Sequence, residues 1–110
     1  MTSDRKKLYE LQSEVFQALG HSTRLAIVDI LKDGEMCVCD IAAAVSAERS
    51  NVSRHLGMMV SAGVLSSRKD GLRMIYKLET RCVVGFLNCV TDVVRAGILA
   101  NVAMLENVAD

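Results

Sequence analysis

The chain has 110 residues, of which 51% are apolar and 24% charged, with no proline. That composition fits one folded domain over 1–110 and excludes a disordered or low-complexity chain. Thirteen basic and thirteen acidic residues cancel, so a uniformly basic coat for nucleic acid is excluded and any such function must rest on local clustering. The opening Met1-Thr2-Ser3-Asp4-Arg5-Lys6-Lys7 is not followed by an apolar run of signal-peptide or membrane-spanning length. The expectation is a cytoplasmic protein with no membrane partner, whose four cysteines serve metal or redox chemistry and not a disulfide framework.

In chain order, Leu8, Leu11, Val15, Phe16 and Leu19 recur at helical spacing and predict an amphipathic helix from Ser3 to Leu19, stopped by Gly20. Ser22 is a candidate N-cap for a second, buried helix carrying Leu25, Ile27, Val28, Ile30 and Leu31 and ending near Asp33-Gly34. The alanine-rich stretch from Cys39 to Val45 suits a short helix packed closely on a neighbour, with Ser46-Ala47 as the break. From about Glu48 to Ala62, Val52, Leu56, Met59 and Val60 mark an inward face, while Ser50, Asn51, Ser53, Arg54 and His55 look outward. Two strand-like runs, Val64 to Lys69 and Leu72 to Leu78, flank Asp70-Gly71, a dipeptide suited to a two-residue hairpin. In the second run Met74, Tyr76 and Leu78 are expected on the core side, with Arg73, Ile75 and Lys77 on the other.

The last helix, Thr80 to about Asn107, carries more apolar surface than three short helices and a hairpin can cover. Leu87, Val90, Val94, Ile98, Val102 and Leu105, with Leu8, Leu11 and Val15 of the first helix, are therefore expected to meet a second subunit. The fold class is mainly α with a small β-hairpin: a winged helix-turn-helix, dimeric through its first and last helices.

Between Arg49 and Lys77 stand six basic residues, Arg49, Arg54, Arg68, Lys69, Arg73 and Lys77, against the single acid Asp70. A helix pair followed by a basic hairpin is the layout of a reading helix in the major groove and a wing over the backbone of a double-stranded DNA operator. Arg49, Ser50, Asn51, Ser53, Arg54 and His55 are the candidate contacts on the helix, and Arg68, Lys69 and Arg73 on the wing. Taken singly, Ser50 and Ser53 could equally cap the helix, and each basic residue could be merely solvated. No phosphate loop and no nucleophile-base-acid set is present, so an enzyme is not expected. A module for protein contacts alone, with an incidental wing, stays open.

Four segments resemble the ArsR/SmtB family of repressors: Ala18-Leu19-Gly20-His21-Ser22-Thr23-Arg24-Leu25, Cys37-Val38-Cys39-Asp40-Ile41, Ser50-Asn51-Val52-Ser53-Arg54-His55-Leu56, and Arg68-Lys69-Asp70-Gly71 leading into Ile75-Tyr76. The third is similar to the family's Ser-x-x-Ser-x-His-Leu reading helix. The resemblance implies a homodimer that holds an operator until an inducer binds. In arsenic-responsive members the Cys-Val-Cys-Asp segment carries the inducer thiolates, which makes Cys37 and Cys39 candidate ligands for trivalent arsenic or antimony, or another soft ion; no cofactor is implied for DNA binding itself. Many such members have a further cysteine where Ala42 stands here, so a third thiolate would come from Cys82, Cys89 or an outside thiol. The zinc sensors' ligand positions on the last helix hold Thr80, Cys82, Val93 and Ala96, which argues against zinc there.

Two residues apart on an α-helix, Cys37 and Cys39 would point about 200° from each other, so one ion is gripped by both only where the backbone is not helical. Oxidation or persulfidation of the cysteines is the alternative signal. Cys82 and Cys89, seven residues apart on the last helix, lie about 10.5 Å apart along its axis and cannot share an ion; burial as core thiols is the bland expectation for them.

Overall fold

In the computed structural model, which describes residues 2–108, helix α1 (Ser3–Leu19) starts where Thr2 Oγ1 accepts the Arg5 N–H at 3.2 Å. Its bounds are those expected. Helix α2 (Ser22–Leu31) begins one residue earlier in its capping than predicted: His21, not Ser22, is the N-cap, and its Nδ1 accepts from the Thr23 N–H at 3.1 Å. Helices α3 (Val38–Ala44) and α4 (Arg49–Ser61) follow, and then α5 (Cys82–Val108) after the hairpin.

The sheet has three strands, one more than the sequence suggests. Strand β1 (Met36–Cys37) pairs antiparallel with β3 (Arg73–Leu78), which pairs on its other side with β2 (Leu65–Asp70). A two-residue strand carries no periodicity, and its pairing comes wholly from β3. Asp70 faces Arg73 across the ladder, so the loop is Gly71-Leu72 and not Asp70-Gly71. Gly71 takes φ +64° while Leu72 keeps a negative φ, the glycine-first pattern of a type II′ turn. β1 also changes the expected sidedness of β3: Ile75, opposite Cys37, is half-buried, whereas Met74 is exposed.

The core of residues 2–80 is built from Ile27, Val28 and Leu31 of α2, Ile41 of α3, Val52, Leu56 and Met59 of α4, and Val64, Leu65 and Leu78 of the hairpin, all at most 2% exposed. The α4 residues match the predicted inward face. α1 contributes Ala18 and Leu19, and leaves Leu8, Tyr9, Leu11 and Phe16 exposed.

The chain divides into two compact units after Thr80, where the sequence suggests one domain. The second is α5 alone, and among its described side chains only Val83, Val84 and Leu87 are not exposed. By length and apolarity α5 would suffice to cross a membrane, a property the expectation of no such run overlooks, because polar residues such as Asn88, Asp92 and Arg95 interrupt its sequence without lowering its average enough.

Candidate nucleic-acid interface and thiol site

Two helices packed on each other, α3 and α4, meet through a tight turn. Ala47 N–H donates to Ala42 O at 3.1 Å and Ser46 takes φ 54°, an unusual conformation for a residue with a side chain. α4 begins at Glu48 with no side-chain cap, so neither serine acts there as the cap the sequence allowed. Its first-turn N–H groups are left for an outside acceptor, and a helix N-terminus of this kind favours a phosphate. Arg49, Ser50, Asn51, Ser53 and Arg54 are all exposed around this start. Arg54 Nη2 donates to Asn51 Oδ1 at 2.6 Å.

His55 departs from the expected outward set. It is half-buried, its ring lies 4.5 Å from that of His21 at α2's start, and its Nδ1 is buried without a hydrogen-bond partner. A position 300° round the helix from Val52 is close to the core-facing row, which outward-looking composition in the first turn hides. Burial, then the nearby His21, Arg24 and Arg54 charges, hold the His55 imidazolium below its ordinary pKa. Because the unfolded chain binds that proton more readily, stability is complete above the ordinary histidine value near 6.5 and falls as pH drops through the lower folded value. Denaturant unfolding between pH 7.5 and 5, at about those limits of the histidine window, should show this loss, and His55→Leu should flatten it. An unchanged slope in the variant would rule His55 out as its source.

On the wing, Arg68 Nη2 meets Glu35 Oε1 at 2.9 Å, and Nη1 lies 3.9 Å from Asp70 Oδ2. The bond to Arg68 keeps the Glu35 carboxyl below its usual range, and Glu35 in turn raises Arg68. Glu35 stands just before β1 and 33 residues from Arg68, a separation over which sequence reading had no signal. Lys69 and Arg73 are exposed near the hairpin tip.

Cys37 lies in β1 opposite Ile75, is 4% exposed, and has extended backbone (φ −79°, ψ 160°) as the residue preceding α3. Cys39 is exposed in the first turn of α3. The pair therefore straddles a strand and a helix, and the expected start of the helix at Cys39 moves to Val38. The Cys37 backbone is extended and not helical, as a shared ion needs, but Cys37 is buried while Cys39 is exposed, so sharing an ion asks the Cys37 side chain to come to the surface. Among the described residues no three His, Cys, Asp or Glu side chains converge as a metal site. Cys82 and Cys89 are exposed on α5, not buried as core thiols. Of the expected subunit contacts, Leu8, Leu11, Val90, Val94, Ile98, Val102 and Leu105 are exposed, and Val15 and Leu87 are half-buried.

Residues 21–67 match the family of bacterial regulatory proteins of the arsR type. Over 105 residues the chain is 31% identical to the HTH-type transcriptional regulator Rv0081 of Mycobacterium tuberculosis, covering 94% of this chain and 92% of that one. The crystal structure of Rv0081 superposes with a TM-score of 0.73, covering 86% of this chain and 96% of that one. The homodimeric winged helix-turn-helix DNA-binding domain Mb0332 of Mycobacterium bovis gives 0.76 at 26% identity, covering 89% and 91%. The arsenical resistance operon repressor of Escherichia coli is 39% identical over 70 residues, 63% of this chain and 60% of that one. A winged helix-turn-helix with likeness along nearly its whole length to a regulator of transcription means that the chain belongs to the ArsR family, as a DNA-binding regulator and not an enzyme.

Proposed function

We propose that the protein is a cytoplasmic homodimeric repressor that releases its operator when a thiophilic ion, trivalent arsenic or antimony, binds Cys37 and Cys39. One observation carries the reading: Cys37 is at once a strand partner of the wing's β3 and the residue that leads into α3. Thiolates favour soft ions, and drawing the buried Cys37 sulfur out towards the exposed Cys39 would strain the Cys37–Ile75 pairing. Through that pairing the strain would reach both the wing and the helix pair. The arsenical repressor of Escherichia coli, similar over 70 residues, supports the ion class. A third thiolate would come from Cys82, Cys89 or an outside thiol.

DNA is held by Arg49, Ser50, Asn51, Ser53 and Arg54 at the α4 start and by Arg68, Lys69 and Arg73 on the wing; His55 supports α4 from behind. Exposed apolar residues of α1 and of α5, separately too broad for solvent, support a homodimer, as does the homodimeric Mb0332 domain. That use of α5 accounts for its apolarity without a membrane.

The experiment is a titration of arsenite into the complex with a duplex carrying the DNA upstream of the chain's own coding sequence. Wild type should lose affinity by roughly 5- to 150-fold, the usual range of allosteric coupling, and a Cys37→Ser/Cys39→Ser double variant should bind the duplex and stay bound. Equal release of both forms sinks the metalloid mechanism. The exposure of Cys39, Cys82 and Cys89 favours a second reading, in which oxidation or persulfidation is the signal; release by mild oxidant with a matching mass adduct, and none by arsenite, selects it.

A further inference from the structure

We propose that Asn51 does not read bases itself but is a positioning residue that aims Arg54 at a guanine in the major groove. The inference rests on α4 as the DNA-reading helix. Arg54 follows the fully buried Val52 by two residues, about 200° round the helix, so it stands on the face turned away from the core. Asn51 lies one turn earlier, at the spacing where side chains meet, and accepts the Arg54 Nη2 proton at 2.6 Å. Both residues are exposed, and among the described residues this is the hydrogen bond that holds the long, flexible arginine, whose side chain also borders a groove with Glu14 and Gln17 of α1.

An asparagine that reads adenine must present its carbonyl oxygen and its amide nitrogen together along one base edge. The bond to Arg54 takes one of the two Oδ1 lone pairs and sets the amide plane by the guanidinium, so the orientation of Asn51 is fixed for Arg54 and not by a base edge. The guanidinium keeps Nε–H, both Nη1 protons and the second Nη2 proton, more than guanine O6 and N7 require. A charge-assisted bond that fixes the guanidinium plane before docking reduces the ordering left to do on the DNA.

The test is selection from a pool of duplexes with a randomised centre by wild type, Asn51→Ala, Arg54→Ala, the double variant and Asn51→Asp. Wild type should enrich a motif with a guanine column preferred by roughly 5- to 150-fold, the worth of one bidentate contact. Arg54→Ala should flatten that column, Asn51→Ala should weaken the same column, and the double variant should lose no more than Arg54→Ala alone. Asn51→Asp, whose carboxylate accepts the same proton, should keep the guanine column while its added negative charge lowers affinity for every sequence. The proposal is overturned if Asn51→Ala alters a different column, an adenine above all, or alters none, or if Arg54→Ala leaves every guanine column intact. A wild type that enriches no motif overturns the DNA-reading role of α4 itself, an outcome plainly distinct from those three.

Discussion

Replacing Arg68, Lys69 and Arg73 together by alanine is expected to reduce the slope of log affinity against log salt by roughly 2.7 for each bound subunit, at about 0.9 for each phosphate no longer neutralised. Between about 50 and 200 mM salt, wild type should therefore lose roughly 40-fold more affinity than the variant for each bound subunit, the two factors multiplying in the dimer. The cause is electrostatic. A chain with no net charge attracts DNA only through a local field, and these three residues are half of the basic cluster between Arg49 and Lys77. Arg68 must trade Glu35 and Asp70 for phosphate, but those pairs are exposed and add little to the free protein. All three side chains are exposed, so thermal unfolding should move little. Measured on the upstream duplex at several salt concentrations, an unaltered slope would take the wing off the DNA backbone.

Leu56→Ala is expected to destabilise the fold by about 2–5 kcal/mol, the range for truncating a buried leucine. Leu56 is 0% exposed on α4, the helix that packs on α2, α3 and β2, so the void would open where those elements meet. Leu72→Ala is the contrast. That leucine is fully exposed in the hairpin loop, and its loss should change stability by less than about 0.5 kcal/mol. Denaturant titrations at matched protein concentration would compare the two; similar values would mean that the core is not centred on α4. Since a third to a half of a small domain's typical stability of about 5–15 kcal/mol can vanish with one such cavity, DNA affinity of the Leu56 variant should be read only under conditions where it is folded.

The helices and the hairpin were legible because each repeats a pattern. The run from Leu8 to Leu19 and the Val52, Leu56, Met59 stripe return on one helical face, and Gly71 marks a reversal that other residues resist. The nine DNA-facing candidates were legible as a cluster of charge and small polar groups, and eight of them are exposed. His55 was not, because helical phase, not residue type, decides whether a histidine in that row meets solvent or His21.

What the amino-acid order determines here is local: where helices start and stop, which face is apolar, where basic residues gather, and that two cysteines stand one residue apart. What only the tertiary structure decided is which of these come into register. β1 is too short to announce itself, and it exists because β3 offers a free edge to Met36 and Cys37. That pairing ties Cys37, the buried thiol of the pair, to the wing, while Cys39 stands exposed on α3. Strand pairing over nearly forty residues depends on closing the whole chain between them, and no local pattern carries that information.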